Sequence, residues 1–194
     1  MGLIAGVVAV QGNVSEHADA IERAAARHGE RVEVREVRES GVVPDCDLLA
    51  MPGGESTTIS RLVHRGGIAP EIEEHVAAGK PLLATCAGLI VAARDAGDER
   101  VECLGLIDAA VDRNAFGRQR DSFETSLDVE GCDEPFPAAF IRAPQVTEVG
   151  EGVEVLAEHD GRIVAVRDGP VVGTAFHPEL AGSSGIHDLA FFEQ

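Results

Sequence analysis

Cys86 lies in Leu82-Leu83-Ala84-Thr85-Cys86-Ala87-Gly88-Leu89-Ile90, where an apolar strand ends and a helix begins at once. Such a strand-turn-helix strains the backbone of its central residue and lifts that side chain above the sheet. It needs small neighbours, and Ala84, Ala87 and Gly88 supply them. The macrodipole at a helix N-terminus favours negative charge on the sulfur, so the segment suits a nucleophile. It equally suits a cysteine that only packs.

Two more segments carry partners for that chemistry. Phe176-His177-Pro178-Glu179 closes the last apolar run. His177 and Glu179 are two apart, so extended geometry projects both to one side, where Glu179 can hold the imidazole while His177 acts as base. Pro178 cannot donate to a ladder, which ends the strand near the sheet edge where ligands bind in open parallel sheets. A strand-end histidine with no chemical role satisfies the same pattern. Met51-Pro52-Gly53-Gly54-Glu55-Ser56-Thr57-Thr58 ends another strand in two glycines and a Ser/Thr-rich helix start. Glycines let backbone N–H groups face a ligand closely and the helix start adds positive potential, which suits an oxyanion hole. A capped turn would use the same residues. No Gly-Lys-Ser/Thr follows, which excludes a phosphate-binding P-loop. A nucleophile, an oxyanion site and a His–Glu pair at three strand ends specify acyl transfer through a thioester.

The elements that must position these residues follow from the apolar pattern. Leu3–Val10 is a continuous apolar run, as in a strand buried on both faces. Asn13 or Ser15 caps a helix to about His28, and Gly29 stops it. Strands are predicted at Val32–Val37, Asp47–Met51 and Pro81–Thr85, with helices at Ser56–Val63, Ala69–Ala78 and Ala87–Ala96. That alternation argues for a parallel sheet with helices on both faces. Beyond residue 100 the chain turns to short β segments at Val101–Val111, Asp121–Val129 and Ala138–Ile141. A hairpin joins Val153–Glu158 to Arg162–Arg167 through His159-Asp160-Gly161. Val171–Phe176 is the last strand and Ile186–Phe192 a terminal helix. With no linker, repeat or low-complexity stretch, residues 1–194 read as a single α/β domain with an added antiparallel portion.

Composition bounds the setting. The 194 residues are 44% hydrophobic, enough to bury a core without disulfides or metals. No run of about 18 apolar residues occurs and the N-terminus lacks the basic region of a signal peptide, so a soluble cytoplasmic protein is expected. Cys46, Cys86, Cys103 and Cys132 are widely spaced, fitting neither a zinc site nor a redox pair, and free thiols are expected. Sixteen basic against 34 acidic residues give a net charge of −18, and Lys80 is the one lysine. A chain this acidic does not bind nucleic acid or anionic membranes through a general field. Its scattered acids fit a surface adapted to high salt better than a patch aimed at a basic partner.

In combination, Thr85-Cys86-Ala87-Gly88, Pro52 to Ser56 and His177-Pro178-Glu179 resemble the triad class of glutamine amidotransferase domains. Val10-Gln11-Gly12 with Glu16-His17, Pro52 to Thr58, Thr85 to Ile90, Arg113 to Gln119 with Asp121 to Glu124, Phe140 to Pro144, and Phe176 to Leu180 are similar to the glutaminase subunit of pyridoxal 5′-phosphate synthase. The resemblance spans most of the chain. It implies a flavodoxin-like three-layer α/β sandwich, mostly parallel with a small antiparallel portion, that hydrolyses L-glutamine to L-glutamate and ammonia without a cofactor or metal. It implies Cys86 as nucleophile, His177 as base and Glu179 as orienter, with the Gly54 and Ala87 N–H groups as oxyanion donors. Gly54, Glu55, Ser56, Arg113, Ile141 and Arg142 match positions that contact glutamine. The implied partner is a (β/α)₈-barrel synthase subunit, in a large hetero-oligomer, that receives the ammonia. Two departures stand out: Ala84, where the family usually has glycine, and Ala181 to Gly185 before His187, where it carries acidic and arginine residues. Other readings of the same residues are the glutaminase of a different amidotransferase pathway and a DJ-1-like redox or stress protein.

Overall fold

Leu3–Val8 (β1) is buried over its last four residues and pairs in parallel with Val32–Val37 (β2) on one side and Leu48–Met51 (β3) on the other. The computed structural model describes residues 2–113 and 122–193. Leu82–Thr85 (β4) continues the parallel array beside β3, and Val171–Thr174 (β12) lies beside β4. The order β2-β1-β3-β4-β12 is that of a flavodoxin-like sheet. β3, β4 and β12 are buried at every position, which explains why their sequences are unbroken apolar runs.

The crossover helices fall on two faces for a topological reason. From β1 to β2 the chain moves one way along the sheet, and from β3 to β4 it moves the other; right-handed crossovers then place the helices on opposite sides. Val14–Arg27 (α1) packs with Gly185–Phe191 (α5), whereas Ser56–Arg65 (α2) packs with Ala69–Ala77 (α3) and Ala87–Ala92 (α4). The order reverses between β1 and β3, and that switch point opens a crevice at the C-terminal ends of the strands.

Beyond β12 the pairing is antiparallel except at the last edge strand, which is parallel to its neighbour. Arg162–Asp168 (β11) runs against β12 and against Glu154–His159 (β10), and it also touches Gln145–Val149 (β9). β9 runs against Ile107–Asp112 (β6), which carries Ala93–Asp95 (β5) at the edge. Phe123–Leu127 (β7) and Phe136–Phe140 (β8) form a separate two-stranded sheet. Asp160 and Gly161 both have positive φ, 50° and 71°, the signature of the tight primed turn expected between β10 and β11.

Several expectations are corrected. The predicted helix Ala87–Ala96 stops at Ala92, because the carbonyls of Val91, Ala92 and Ala93 accept from Leu104, Leu106 and Gly105 instead of from a further helical turn. Those same contacts hold residues 101–106 as a loop, so the strand predicted at Val101–Val111 begins only at Ile107. β9 was not anticipated: Thr147 and Glu148 are exposed and blur its alternation. The last strand ends at Thr174 rather than Phe176, and Pro178–Leu180 is a 3₁₀ turn. The predicted segment Asp121–Val129 begins outside the described residues, as does 114–120 of the Arg113 to Gln119 segment. Among the described residues no helix is long and apolar enough to cross a membrane.

Candidate functional site

Four parallel strands end at one cleft of about 470 Å³, and every candidate residue except Glu179 lines it. Gly12 and Asn13 follow β1, Gly53 to Ser56 follow β3, Cys86 and Ala87 follow β4, and His177 follows β12. Arg113 follows β6, and Ile141 and Arg142 follow β8, closing the cleft from the antiparallel side.

Cys86 has φ 51° and ψ −109°, a left-handed conformation that costs a non-glycine residue on the order of 1–3 kcal/mol. Its amide donates to Thr174 O at 2.7 Å, which ties the elbow to β12, and its sulfur lies 3.9 Å from Ile141 O. Close packing under the turn demands glycine at 88, where a Cβ would stand 2.1 Å from Met51 O. Ala84 is buried between Met51 and Gly173 in the sheet register, and Gly173 is filled over by Leu89 and Ile107, whose Cδ1 atoms would lie 2.6 and 2.9 Å from a Cβ there. Gly53 makes room for the chemistry itself: a Cβ there would sit 2.8 Å from His177 Cε1 and 3.2 Å from Cys86 Cβ.

His177 Nδ1 and Glu179 Oε1 are 2.7 Å apart, both residues are nearly sealed from solvent, and the imidazole shares the cleft with Cys86. The sequence expectation placed this pair on one face of an extended strand. The 3₁₀ turn at Pro178 does it instead, folding Glu179 back beneath the ring. Burial works against the imidazolium, but the neighbouring Cys86 sulfur and the bonded Glu179 carboxylate outweigh it and raise the His177 pKa. Burial likewise pushes the Glu179 carboxyl up, and His177, His17 and Asn13 more than reverse that, holding it low. The two groups thus stabilise each other as an ion pair.

Asn13 and His17 are the neighbours that sequence reasoning missed as parts of the site. The sequence predicts Asn13 or Ser15 as the cap of α1, yet the Asn13 side chain makes no capping bond and donates to Glu179 Oε1 at 3.0 Å. His17 is buried in phase with Ala20, Ile21, Ala24 and Ala25, so an imidazole in the apolar stripe of α1 was the available signal.

The β3–α2 loop is built by Glu55, whose carboxylate caps α2 by accepting from Thr57 N and Thr58 N and from both threonine hydroxyls. Burial pushes the Glu55 carboxyl up, but those bonds bring it down to about 2. Its own amide donates to Gln11 Oε1 at 2.6 Å. The Gly54 amide lies beside it at φ 142°, and the Ala87 amide is among the first donors of α4, which have no acceptor within the helix. Arg113, expected as a carboxylate clamp, holds Glu55 at 3.3 Å and bonds Asp98. Ile141 is exposed at the mouth, and Arg142 beside it has φ 47°.

A strained cysteine on a strand–helix elbow, facing a His–Glu ion pair at the C-terminal ends of the strands of a flavodoxin-like sheet, is the arrangement of a cysteine-dependent amidohydrolase. The sequence matches the SNO glutamine amidotransferase family over residues 7–194, and the chain belongs to that family. It is 70% identical over 190 residues to the pyridoxal 5′-phosphate synthase subunit PdxT of Halorubrum lacusprofundi, covering 98% of this chain and 96% of that one. With the subunit of the same name from Haloarcula marismortui it shares 70% identity over 193 residues, covering 100% and 98%. A crystal structure of a glutamine amidotransferase superposes with a TM-score of 0.85 at 42% identity, covering 97% of both chains. The fold is also that of PurLQS from Thermotoga maritima, with a TM-score of 0.67 at 20% identity, covering 92% of this chain and 89% of that one.

Proposed function

We propose that this glutamine amidotransferase is the glutaminase subunit of a pyridoxal 5′-phosphate synthase, working in the cytoplasm as one domain over residues 1–194. It hydrolyses L-glutamine to L-glutamate and ammonia, and the ammonia passes to a synthase partner, a (β/α)₈ barrel in a large hetero-oligomer.

Cys86 Sγ attacks the side-chain amide carbon of glutamine, and the Gly54 and Ala87 N–H groups receive the charge that develops on its oxygen. His177 gives its proton to the departing nitrogen, breaking the C–N bond and releasing ammonia. The same imidazole then takes a proton from water, whose oxygen attacks the thioester; the C–S bond breaks, freeing glutamate, and His177 returns that proton to the departing Cys86 sulfur. Glu179 holds the His177 Nδ1–H throughout, keeping Nε2 toward the sulfur. Glu55, Ser56, Ile141 and the guanidinium groups of Arg113 and Arg142 line the space for the amino-acid end of glutamine, where an arginine suits its carboxylate.

The observation that carries this reading is the left-handed Cys86 beside a buried, hydrogen-bonded His177–Glu179 pair in the same cleft as Gly54. The purified protein with its synthase partner should release glutamate from glutamine, and Cys86→Ala should abolish release. Undiminished turnover by that variant would overturn the mechanism.

A further inference from the structure

One oxygen of Glu179 is fully occupied and the other is not. Oε1 receives His177 Nδ1 at 2.7 Å and Asn13 Nδ2 at 3.0 Å. Oε2 is buried, and among the described residues it has no close hydrogen-bond partner; His17 Nε2 stands 3.4 Å away. The same nitrogen is 3.2 Å from Thr85 Oγ1, on the residue just before the nucleophile. One ring atom of α1 therefore touches both the Cys86 elbow and the turn that carries Glu179.

The proton on His17 can be placed. A lone pair on Nε2 would face the carboxylate, so Nε2 carries the hydrogen and shares it between Oε2 and Oγ1. Burial lowers the basicity of His17 more than the charges of Glu179 and Glu16 raise it, and His177 adds to the lowering, so the ring is neutral. From α5 the His187 ring faces it at 5.8 Å between centroids. A neutral donor fixes a carboxylate without cancelling the charge that the carboxylate presents to His177.

Resting on the triad reading above, we propose that His17 is a positioning residue for glutamine hydrolysis, joining the Cys86 elbow to the His177–Glu179 turn through Nε2. The ring acts through Glu179 and Thr85 and touches no substrate.

The test is steady-state glutaminase kinetics across pH, with the synthase partner present, for the wild type, His17→Leu, His17→Gln and Cys86→Ala. His17→Leu should lower kcat about 10–100-fold with KM changed by less than about twofold, since the lost contact lies behind the reacting atoms. Removing a donor from Glu179 raises the pH at which the pair takes up a proton, so the acid limb of kcat should move to higher pH. In His17→Gln the amide nitrogen can occupy the place of Nε2, and kcat and the acid limb should largely return. An active Cys86→Ala would sink the triad reading itself. With Cys86→Ala inactive, a His17→Leu variant with wild-type kcat and pH profile, or a His17→Gln variant as impaired as His17→Leu, would overturn the role of His17 alone. Should His17→Leu fail to fold, ring ¹⁵N shifts of the wild type at neutral pH decide: a neutral ring protonated on Nε2 is required, and an Nδ1–H tautomer or a charged ring overturns the proposal.

Discussion

Asn13 Nδ2 donates to Glu179 Oε1 at 3.0 Å, so the residue that opens α1 gives its amide to a carboxylate 166 positions away instead of capping its own helix. Two consequences follow from that single bond. Removing it leaves Glu179 with His177 and the His17 contact, and removes no cap from α1. Asn13→Ala should therefore cost about 10-fold in kcat, the value of one hydrogen bond to a charged group, with an unfolding midpoint close to wild type. Asn13→Asp sets a second carboxylate against Oε1 and should be the worse variant. Steady-state kinetics and thermal melts measure both, and a wild-type kcat for Asn13→Ala would refute the assignment.

Gly53 tests whether space or flexibility matters at the β3–α2 loop. Its added Cβ would stand 2.8 Å from His177 Cε1 and 3.2 Å from Cys86 Cβ, so Gly53→Ala must displace one of the two reacting side chains. A shift of that size in a reacting pair costs about 100-fold in rate. Gly29→Ala is the matched control for stability, since its φ of 72° is strained but nothing lies within 4 Å of its Cβ. Gly53→Ala should be folded and nearly inactive, while Gly29→Ala should be somewhat less stable and fully active; equal glutaminase rates would sink the argument.

Arg113 is shared between Glu55 and Asp98, so any carboxylate it binds competes with two others. A contact made equally in ground and transition states raises KM and leaves kcat alone. Arg113→Ala should raise the KM for glutamine about 10-fold or more, the worth of a charge-assisted bond, with kcat within a few-fold of wild type. A large fall in kcat at unchanged KM would place Arg113 in loop architecture instead.

The parallel half of the fold and three corners of the site were legible in the sequence for one physical reason. Strands buried on both faces must be apolar throughout, so β1, β3, β4 and β12 and the residues that end them stand out as blocks. The antiparallel half was blurred at β9, where a register shift against β6 leaves Thr147 unpaired and sets two exposed residues, Thr147 and Glu148, side by side in its pattern. The geometry of the His–Glu pair was misread because a two-residue spacing fits both an extended strand and a turn, and only the sheet's ending at Thr174 distinguishes them. Asn13 and His17 stayed hidden because their partners lie in the last quarter of the chain. Local pattern explains a cap or a core position well enough without them.

His187 sets the acid side of stability. It is wholly buried and neither ring nitrogen finds a hydrogen-bond partner among the described residues. Burial above all, with the Arg23 guanidinium and against the pull of Glu179, holds its pKa at about 3, against 6.5 for an ordinary histidine. The unfolded chain thus takes up a proton that the folded ring refuses. The contribution is intact above pH 6.5 and is lost at up to about 1.4 kcal/mol per pH unit as pH falls toward 3. His187→Leu removes the proton site with no lost hydrogen bond, so its unfolding midpoint should overtake wild type between pH 8 and pH 5. Melting curves that stay parallel over that range would show that the ring does not titrate on unfolding.

The charge of −18 makes stability depend on salt, and the ion pairs fix the sign. Arg35 with Glu33 and Asp45, Arg38 with Glu36, Arg94 with Asp108 and Glu148, and Arg100 with Asp98 already match arginines to local acids. With 34 acids against 16 bases, the acids left over repel one another across the surface. Salt weakens both terms, but exposed pairs contribute only about 0–1 kcal/mol each, while screening shortens the reach of the repulsion to about 3 Å at 1 M. Relief of repulsion therefore wins, in keeping with relatives from halophilic sources. Between dilute buffer and 2 M KCl the unfolding midpoint should rise by roughly 5–15 °C, or about 2–5 kcal/mol for a domain of this size. NaCl should act like KCl if screening is the cause, and a flat or falling midpoint in both salts would rule out repulsion as the limit on stability.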